Sequence, residues 1–401
     1  MRLERILEGQ SAYLYMERYA NEGTRNYSSF ATYSEVSKIY RPTSDIKEFA
    51  LPSVLIPVDM VKIYQGSTDI NLLNSYIIGD SVEFFIHPEL LGDMEVRELF
   101  KCFPKGTPKT VIPTASSRTV FVLSDQTPHY LKLHLPRRIS RFIRHLPGRV
   151  INDSVATAQD LENISSDLFG YLPDTLGIVY TPHDWGFLVR EQEPRPKLDQ
   201  QEKHFLIPFF ALYAKDLKRP EDPPLLVQII DHLGEDPQGF IVNKIIKPLI
   251  GTWCIAALQR GILLEAHGQN TLLEIDANFN PKRIIHRDLD LWVDGIKREE
   301  LGLETHFETG VIKNDEERRR VYSLVYDQFL GHHLLDSLVT ILNGYYCLDR
   351  KKIKGDCRRF FHGLFPKSNI YFPENTYYFS NELLSENEYR LVDTGQIPQW
   401  R

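Results

Sequence analysis

Cysteine is scarce in this sequence, and basic charge never dominates it. The four cysteines, Cys102, Cys254, Cys347 and Cys357, form no CxxC pair. This spacing predicts neither a zinc site nor a disulfide framework, and it favours a reducing cytoplasm. The 47 lysines and arginines are outnumbered by 54 acidic residues, so the net charge is −7. No segment is basic enough to predict a nucleic-acid or membrane surface.

Long apolar runs and common catalytic motifs are missing as well. The first 23 residues carry charges throughout, unlike a secretory signal peptide. The most apolar long segment, Ile245 to Leu264, is interrupted by polar residues and predicts a buried helix rather than a membrane span. Because GxxxxGK[ST], HExxH and GxSxG are absent, P-loop, zinc-peptidase and α/β-hydrolase chemistry lose their usual markers.

The 401 residues divide into three regions with different residue patterns. Residues 1–80 mix short patterns and are predicted to be an N-terminal appendage. Residues 81–195 contain short β-branched and aromatic runs between turns, which predict a mostly antiparallel sheet. After a polar connector from Glu191 to Lys203, residues 196–401 have helical spacing around TLLEID and RIIH, which predict a hairpin. The predicted class is α+β, with a β-rich region packed against a mainly helical one that holds a small sheet.

Two basic or hydroxyl-rich segments are candidates for anion binding. In PTASSRTV, hydroxyls and Arg118 crowd a predicted turn before a strand, where they suit phosphate oxygens. An ordinary polar turn is the alternative. In LKLHLPRRISRFIRHLPGR, a helix beginning after Pro136 would place Ser140 and Arg144 on one face near Lys132, able to clamp a tricarboxylate or triphosphate. A solvated basic face is the alternative there.

Polar residues cluster again in GILLEAHGQNTLLEID, between an apolar helical run and a strand. Gly268 is predicted to supply a positive φ in this turn, so that His267 and Asn270 point into one cavity. A structural histidine is the alternative. Farther on, RIIHRDLDLWVDG begins like a protein-kinase catalytic loop, but the chain lacks the kinase GxGxxG and DFG segments. An aspartate such as Asp288 at a strand end can still hold magnesium beside nucleotide phosphates.

Taken in order, PTASSRT, Lys132 with Ser140 and Arg144, WGFLVRE, EAHGQN and HRDLD resemble the IucA/IucC family of siderophore synthetases, which work independently of nonribosomal peptide synthetases. The resemblance covers roughly residues 80–345. It implies an open-hand fold in which β-rich fingers and a helical palm hold ATP between them. It also implies magnesium, a homodimer, and citrate or a related acid that is adenylated and condensed with an amine or alcohol.

The same resemblance implies roles for individual residues. The implied nucleotide-binding residues are Ser116, Arg118, Thr119, Lys132, Glu265 and Asn270. The implied carboxylate-binding residues are Ser140, Arg144 and His267, and the implied catalytic residues are Arg144, His267 and Lys132. Asp288 and Asn270 are expected to meet the magnesium ion. Arg190 occupies the position of a family arginine, with its role left open.

The chain also departs from the family pattern. An N-terminal GHPxHP-type motif is not found in residues 1–80, and His87-Pro88 resembles a later family motif with Glu89 in place of tryptophan. The C-terminal KALL-type segment is missing, so the chain is expected to be shortened at its N-terminus and divergent at its C-terminus. Two alternatives to the ligase stay open: a non-catalytic homologue that needs a partner synthetase subunit, and a phosphotransferase suggested by HRDLD.

Overall fold

The computed structural model describes residues 1–21, 30, 32–67, 70–123, 127–198, 202–304, 306–382, 384 and 388–401, so the predicted connector lies partly outside the described residues. The strands of the first half are β1 (Phe49–Leu51), β2 (Ser53–Pro57), β3 (Val61–Gln65), β4 (Ile77–Ile78), β5 (Ser81–Phe85), β6 (Lys109–Pro113), β7 (Thr119–Val122), β8 (His129–Leu133), β9 (Leu135–Ile139), β10 (Phe142–Arg144), β11 (Phe169–Tyr171), β12 (Asp174–Tyr180) and β13 (Trp185–Glu191). Those of the second half are β14 (His204–Pro208), β15 (Ile262–Leu263), β16 (Thr271–Asp276), β17 (Pro281–His286), β18 (Trp292–Asp294), β19 (Val311–Ile312), β20 (Tyr377–Phe379) and β21 (Leu391–Asp393).

Helices concentrate in the second half of the chain. The α-helices are α1 (Gln10–Tyr19), α2 (Ile70–Asn74), α3 (Met94–Cys102), α4 (Gly148–Leu161), α5 (Phe209–Tyr213), α6 (Leu225–Leu233), α7 (Pro237–Phe240), α8 (Lys247–Arg260), α9 (Gly295–Glu300), α10 (Asp315–Tyr322), α11 (Ser337–Leu342), α12 (Arg350–Leu364) and α13 (Ser368–Tyr371). The π-helical segments Ile241–Ile246 and Ser323–Asp336 continue α7 into α8 and α10 into α11. Short 3-10 turns span Leu3–Glu8, Lys38–Tyr40, Val58–Met60 and Pro88–Leu90.

A seven-stranded antiparallel sheet forms the β-rich region, in the order β1-β6-β7-β8-β13-β12-β3. Its apolar residues are buried with those of β2 and β5 in one core. The predicted antiparallel sheet is therefore confirmed. It also takes in β1 and β3, from the region predicted to be an appendage, while the division into three domains stays a prediction.

The helical region has its own core and a smaller sheet, β11-β17-β16-β14, in which the predicted hairpin of β16 and β17 is present. Residues 205–208, which belong to the stretch predicted to have helical spacing, are instead part of strand β14, which pairs with β16 and leads into α5. Apolar residues of α1 belong to this core, so the N-terminal helix packs on the palm. The α+β class is confirmed.

One helix of the described residues, Pro237–Arg260, is long and apolar enough to cross a membrane. However, 67% of its most apolar window is buried inside the protein, as in the core helix of a globular domain. Its side chains pack in the palm core with Trp253, which is fully buried. The buried helix predicted from the sequence is present.

Candidate active site

The fingers sheet and the palm meet at an ion pair between a buried lysine and a partly exposed aspartate. Lys132 lies on β8, the central strand of the seven-stranded sheet, and is 1% exposed. Its Nζ is 2.5 Å from Oδ1 of Asp288, which follows β17 of the palm. Arg190 Nη2 lies 3.2 Å from the same oxygen, while Arg190 Nε lies 2.8 Å from Asp174 Oδ1. Since a buried cation without a partner costs several kcal/mol, these carboxylates are what allow both cations to be buried.

Asp288 has an unusual backbone and a strongly ionised side chain. Its φ is 69°, a region that residues other than glycine seldom occupy and that aspartate tolerates better than most. Burial opposes ionisation, but the positive charges of Lys132, Arg190 and Arg118 hold the pKa of the Asp288 carboxyl well below its usual range. A strained residue persists only where its surroundings over-determine it, a condition frequent at functional sites.

The hydroxyl-rich turn before β7 lies beside this ion pair. Thr119 begins β7 and is directly opposite Lys132 on β8. Arg118 is buried and its Nη1 donates to the carbonyls of Arg144 and His145, at 3.4 and 3.3 Å. Burial and the charge of Arg144 lower the pKa of Arg118 to about 10, which leaves it cationic at neutral pH. The turn thus brings a third positive charge, after Lys132 and Arg190, close to Asp288.

A small pocket lies between the turn and the palm. It is lined by Glu17, Thr114, Ser116, Thr119, Tyr130, Arg190, Gln269, Asn270, Arg287 and Asp288. Four of the residues predicted to bind nucleotide or magnesium, Ser116, Thr119, Asn270 and Asp288, are among them. Residues that are 170 positions or more apart in the chain therefore face one cavity.

The EAHGQN segment forms a loop between β15 and β16 rather than the end of a helix. Helix α8 ends earlier, at Arg260, where Gly261 adopts the left-handed conformation with φ 64°. The prediction of a positive φ at Gly268 is wrong. Glycine is needed at position 268 because there is no space for a side chain: a Cβ would come within 2.3 Å of the Tyr213 hydroxyl oxygen. The helix ends before the loop, since the left-handed glycine that caps α8 comes earlier in the sequence.

His267 is held in this loop as a neutral imidazole. Its Nδ1 accepts from the backbone N–H groups of Gln269 and Asn270, at 3.2 and 3.3 Å. Burial lowers the pKa of His267 to about 4. The neutral ring therefore carries its proton on Nε2, because Nδ1 is occupied as an acceptor. An Nε2–H donor in this position can offset developing negative charge without a change of protonation state.

Glu265 begins the same loop and faces other acids. Burial, together with the negative charges of Asp288 and Asp290, raises the pKa of Glu265 to about 8. Arg144 and Lys132 act in the opposite direction but do not cancel this repulsion. The cleft thus places cations beside carboxylates that repel one another.

The Glu265→Gln variant is expected to gain stability relative to the wild type as pH rises. The carboxyl titrates near 4.5 when unfolded and near 8 when folded, so the folded state binds the proton more tightly. The stability of the wild type therefore decreases as the pH rises from about 4.5 to about 8, whereas the amide of the variant does not titrate and contributes no such decrease. Thermal unfolding at pH 5.5 and 8.5 should show the Tm advantage of the variant widening by roughly 2–4 °C.

An exposed glutamate supplies the control for this comparison. Glu235→Gln makes the same chemical change at an exposed position between α6 and α7. Its Tm difference from the wild type should be the same at both pH values. A constant difference for Glu265→Gln as well would contradict the raised pKa.

The basic island around Arg144 is a β-hairpin, so the helix predicted after Pro136 is wrong. Strands β9 and β10 pair antiparallel, and Ser140 occupies the turn with φ 56°. Its N–H donates to Tyr33 O at 2.8 Å, which joins the turn to the N-terminal segment. The pairing of the five-residue strand β9 with the three-residue strand β10 satisfies backbone hydrogen bonds here. Basic side chains at the spacing of a helix face also fit the two strands of a hairpin.

Of the two hairpin residues predicted to bind the carboxylate, Arg144 is the one that lies among the charges of the site. Burial lowers the pKa of Arg144, against the attraction of Asp288, Glu265 and Asp290. Its Nη2 donates to the carbonyl of Ile139, at 3.3 Å. Ser140 is next to that carbonyl in sequence, and its role in carboxylate binding stays a prediction.

Several residues of the site carried no signal in the sequence. Asp174 faces Arg190 across the β12–β13 pair, a relation that only the register reveals. Glu17 comes from α1, in the region predicted to be an appendage, and lines the pocket. Arg287 lies within HRDLD, yet only its contacts with Glu17 and Tyr13 distinguish it from an ordinary surface arginine.

The fold is that of the siderophore synthetases independent of nonribosomal peptide synthetases, and the resemblance to the IucA/IucC proteins is confirmed. The petrobactin biosynthesis protein AsbB of Bacillus anthracis str. Sterne matches with a TM-score of 0.72 at 15% identity, over 97% of this chain and 75% of AsbB. Aerobactin synthetase IucC of a hypervirulent Klebsiella pneumoniae pathotype matches with 0.68 at 14%, over 100% and 78%. ATP-bound IucA from the same source matches with 0.65 at 16%, over 97% and 81%.

Sequence comparison points to the same group of enzymes. The L-2,3-diaminopropanoate–citrate ligase of Staphylococcus aureus (strain NCTC 8325 / PS 47) is 29% identical over 203 residues, 45% of this chain. The match covers only a third of that ligase, 33% of its length. Residues 248–388 also match the family described as ferric iron reductase FhuF-like transporter. Within the described residues, no group of three or more His, Cys, Asp or Glu is arranged to hold a metal ion.

Proposed function

We propose that this protein is an ATP-dependent ligase that adenylates citrate or a related carboxylate and condenses it with an amine or alcohol in siderophore-type biosynthesis. The observation that carries the proposal is that Arg118, Lys132, Arg144 and neutral His267 all lie close enough to Asp288 to interact with its charge, and Asp288 lines the pocket. The similarity to a citrate ligase supports the substrate class. The likeness in fold to an ATP-bound synthetase supports the nucleotide.

The proposed first step forms the acyl-adenylate. A carboxylate oxygen attacks the α-phosphorus of ATP, the bond from that phosphorus to the bridging oxygen breaks, and pyrophosphate leaves. Lys132 and Arg118 stabilise the charge on the phosphoryl oxygens, and the hydroxyls of Ser116 and Thr119 donate to the nucleotide. Fixed cations in a cleft contribute more than in water, because they need no reorganisation during the reaction.

The proposed second step transfers the acyl group. The amine or alcohol attacks the carbonyl carbon of the mixed anhydride, loses a proton to solvent, and AMP leaves. Arg144 holds the carboxylates of the acid, since a guanidinium offers paired donors to them. His267 Nε2–H faces negative charge at the carbonyl. Both tasks depend on position more than on proton transfer.

Magnesium fits the donor set that the cleft offers. Asp288 is ionised and Asn270 supplies an amide oxygen, and such hard oxygen ligands are those that Mg²⁺ prefers when phosphates complete its coordination. Burial, and after it the negative charges of Asp288 and Asp290, raise the pKa of Glu265, and a cation would offset those two charges. Bound between Asp288, Asn270 and the nucleotide, the ion would neutralise phosphate charge.

Product analysis tests the proposal directly. The protein is incubated with ATP, magnesium and a panel of carboxylates, citrate foremost, and hydroxylamine is added to trap activated acyl groups. The proposal expects carboxylate-dependent pyrophosphate, AMP and hydroxamate. ADP as the product would instead indicate a phosphotransferase. ATP binding without turnover with any acid would indicate the homologue that needs a partner subunit.

Replacing His267 by alanine is expected to lower hydroxamate formation by about 100-fold, the usual cost of removing one donor to a developing oxyanion. Because the pKa of His267 is about 4, protonation of this histidine should not lower the activity of the wild type anywhere between pH 6 and 8. Steady-state rates across that range provide the measurement. His232→Ala, an exposed histidine of α6, is the matched control; equal rates for both variants would remove His267 from the site.

A homodimer and a cytoplasmic location remain part of the proposal. The small-molecule carboxylate and amine substrates need neither a nucleic acid nor a membrane. Sedimentation of the purified chain tests the dimer, and a monomer that is fully active would remove it from the account.

A further inference from the structure

A closed ring of contacts joins four residues that are far apart in the chain. Glu17 Oε2 accepts from the backbone N–H of Ala115 at 2.9 Å, and Glu17 Oε1 lies 2.8 Å from Arg287 Nη1. Arg287 Nε donates to the carbonyl of Gln269 at 2.8 Å. Gln269 Nε2 returns to the carbonyl of Ala115 at 3.3 Å, which closes the ring. The ring thus links α1, the turn before β7, the loop before β16 and the end of β17.

Each of three ring members directly precedes a residue predicted to bind the nucleotide or its metal. Ser116 follows Ala115, Asn270 follows Gln269, and Asp288 follows Arg287. All three lie on the pocket wall. Fixing the backbone of one residue restricts where the next side chain can point. The ring therefore sets the spacing of three ligand-facing groups from three separate segments.

Glu17 is the member that holds the ring to the rest of the protein. Glu17 is 1% exposed and lines the pocket. Within the ring, its carboxylate is the acidic partner of Arg287. Arg287 Nη1 also donates to the Tyr13 hydroxyl, one turn earlier on α1 at 2.8 Å. Because Tyr13 and its helix pack in the palm core, the two contacts anchor the pocket wall to a rigid element.

We propose that Glu17 is a positioning residue for ATP, so that the N-terminal helix is part of the nucleotide site. This inference rests on the proposed function, because it takes the pocket to be the ATP pocket. Glu17 acts through Ala115 and Arg287, which place Ser116 and Asp288. Its loss should therefore weaken ATP binding while the carboxylate side of the cleft, around Arg144, is unaffected.

The test uses Glu17→Gln, which keeps an oxygen to accept from Ala115 but loses the charge that holds Arg287. Calorimetry with magnesium and an ATP analogue that cannot be cleaved between its α- and β-phosphates measures binding in the absence of acid. We expect the Kd of the analogue and the KM for ATP to rise about 10-fold, with the KM for the carboxylate changed by less than about 2-fold. Adding Arg287→Gln to Glu17→Gln should raise the Kd of the analogue little further, because the two residues act as one unit.

Glu8→Gln, an exposed position at the N-terminal side of α1, is the matched control and should bind like the wild type. Gln269→Ala breaks the ring without leaving a buried charge, and it should also weaken binding, which keeps the test valid if Glu17→Gln folds poorly. Wild-type Kd in both ring variants, or equal rises in the KM values for ATP and carboxylate, would overturn the positioning role alone. A wild type that binds no analogue would overturn the proposed function and this inference together.

Discussion

Lys132→Met is expected to reduce carboxylate-dependent pyrophosphate release by about 100- to 1,000-fold while the protein stays folded. The Nζ that would contact the phosphates is lost, but the methionine fills the volume of the buried stem. Asp288 does not become an unpaired buried charge, because Arg190 Nη2 remains 3.2 Å from the same oxygen. Activity and folding should therefore separate, which the initial rate and the far-UV spectrum measure on the same sample.

Lys62→Met is the control for this variant. Lys62 lies on β3 of the same sheet, exposed and against the ring of Tyr64, so its loss tests the sheet without touching the cleft. It should keep wild-type activity. If Lys132→Met kept it too, the phosphate-binding role of Lys132 would be wrong. If Lys132→Met unfolded, the account in which Arg190 alone is enough to pair Asp288 would be wrong.

Arg144→Lys is expected to raise the KM for the carboxylate by about 10- to 100-fold, with the KM for ATP changed by less than about 3-fold. The lysine keeps a positive charge near Glu265, Asp288 and Asp290, so the electrostatic balance of the cleft is preserved. It lacks the planar pair of donors that matches a carboxylate. Initial rates with acid and ATP varied separately distinguish the two effects.

Arg138→Lys provides the comparison on the same hairpin. Arg138 is on β9, opposite Ile143, and its Nη1 donates to Arg141 O at 2.6 Å. A change there alters the hairpin without removing a guanidinium from the acidic cluster. Its KM values should stay near those of the wild type. Equal rises for Arg138→Lys and Arg144→Lys would mean that the hairpin, rather than the Arg144 guanidinium, determines the affinity for the acid.

Local sequence patterns were enough to predict the strands of the fingers and the turn before β7. Runs such as RTVFVLS and HYLKLHL combine β-branched residues with flanking turn residues, and they form β7 and β8. The α+β class follows from the change to helical spacing after residue 196. The same patterns failed where one spacing of side chains fits both a helix and a hairpin, as in the hairpin of β9 and β10. The positive φ of Ser140 is the local cause, and serine gives little warning of it.

Contacts between distant segments could not be predicted from one sequence. Glu17 and Arg287 are 270 positions apart, and neither belongs to a periodic pattern that would pair them. Asp174 and Arg190 meet only because β12 and β13 are in one register. The resemblance in EAHGQN and HRDLD supplied candidate residues. Their charges, and the neutrality of His267, depend on burial that only the folded chain provides.

The central claim is that the carboxylate itself attacks the α-phosphorus of ATP, and an isotope measurement tests this most directly. Citrate labelled with ¹⁸O in its carboxyl groups is incubated with the protein, ATP, magnesium and hydroxylamine, and the nucleotide product is analysed by mass spectrometry. Adenylation predicts AMP that carries one ¹⁸O atom, because an oxygen of the acid stays on the phosphorus when the acyl group leaves. AMP without label, or label found in inorganic phosphate beside ADP, would contradict the account.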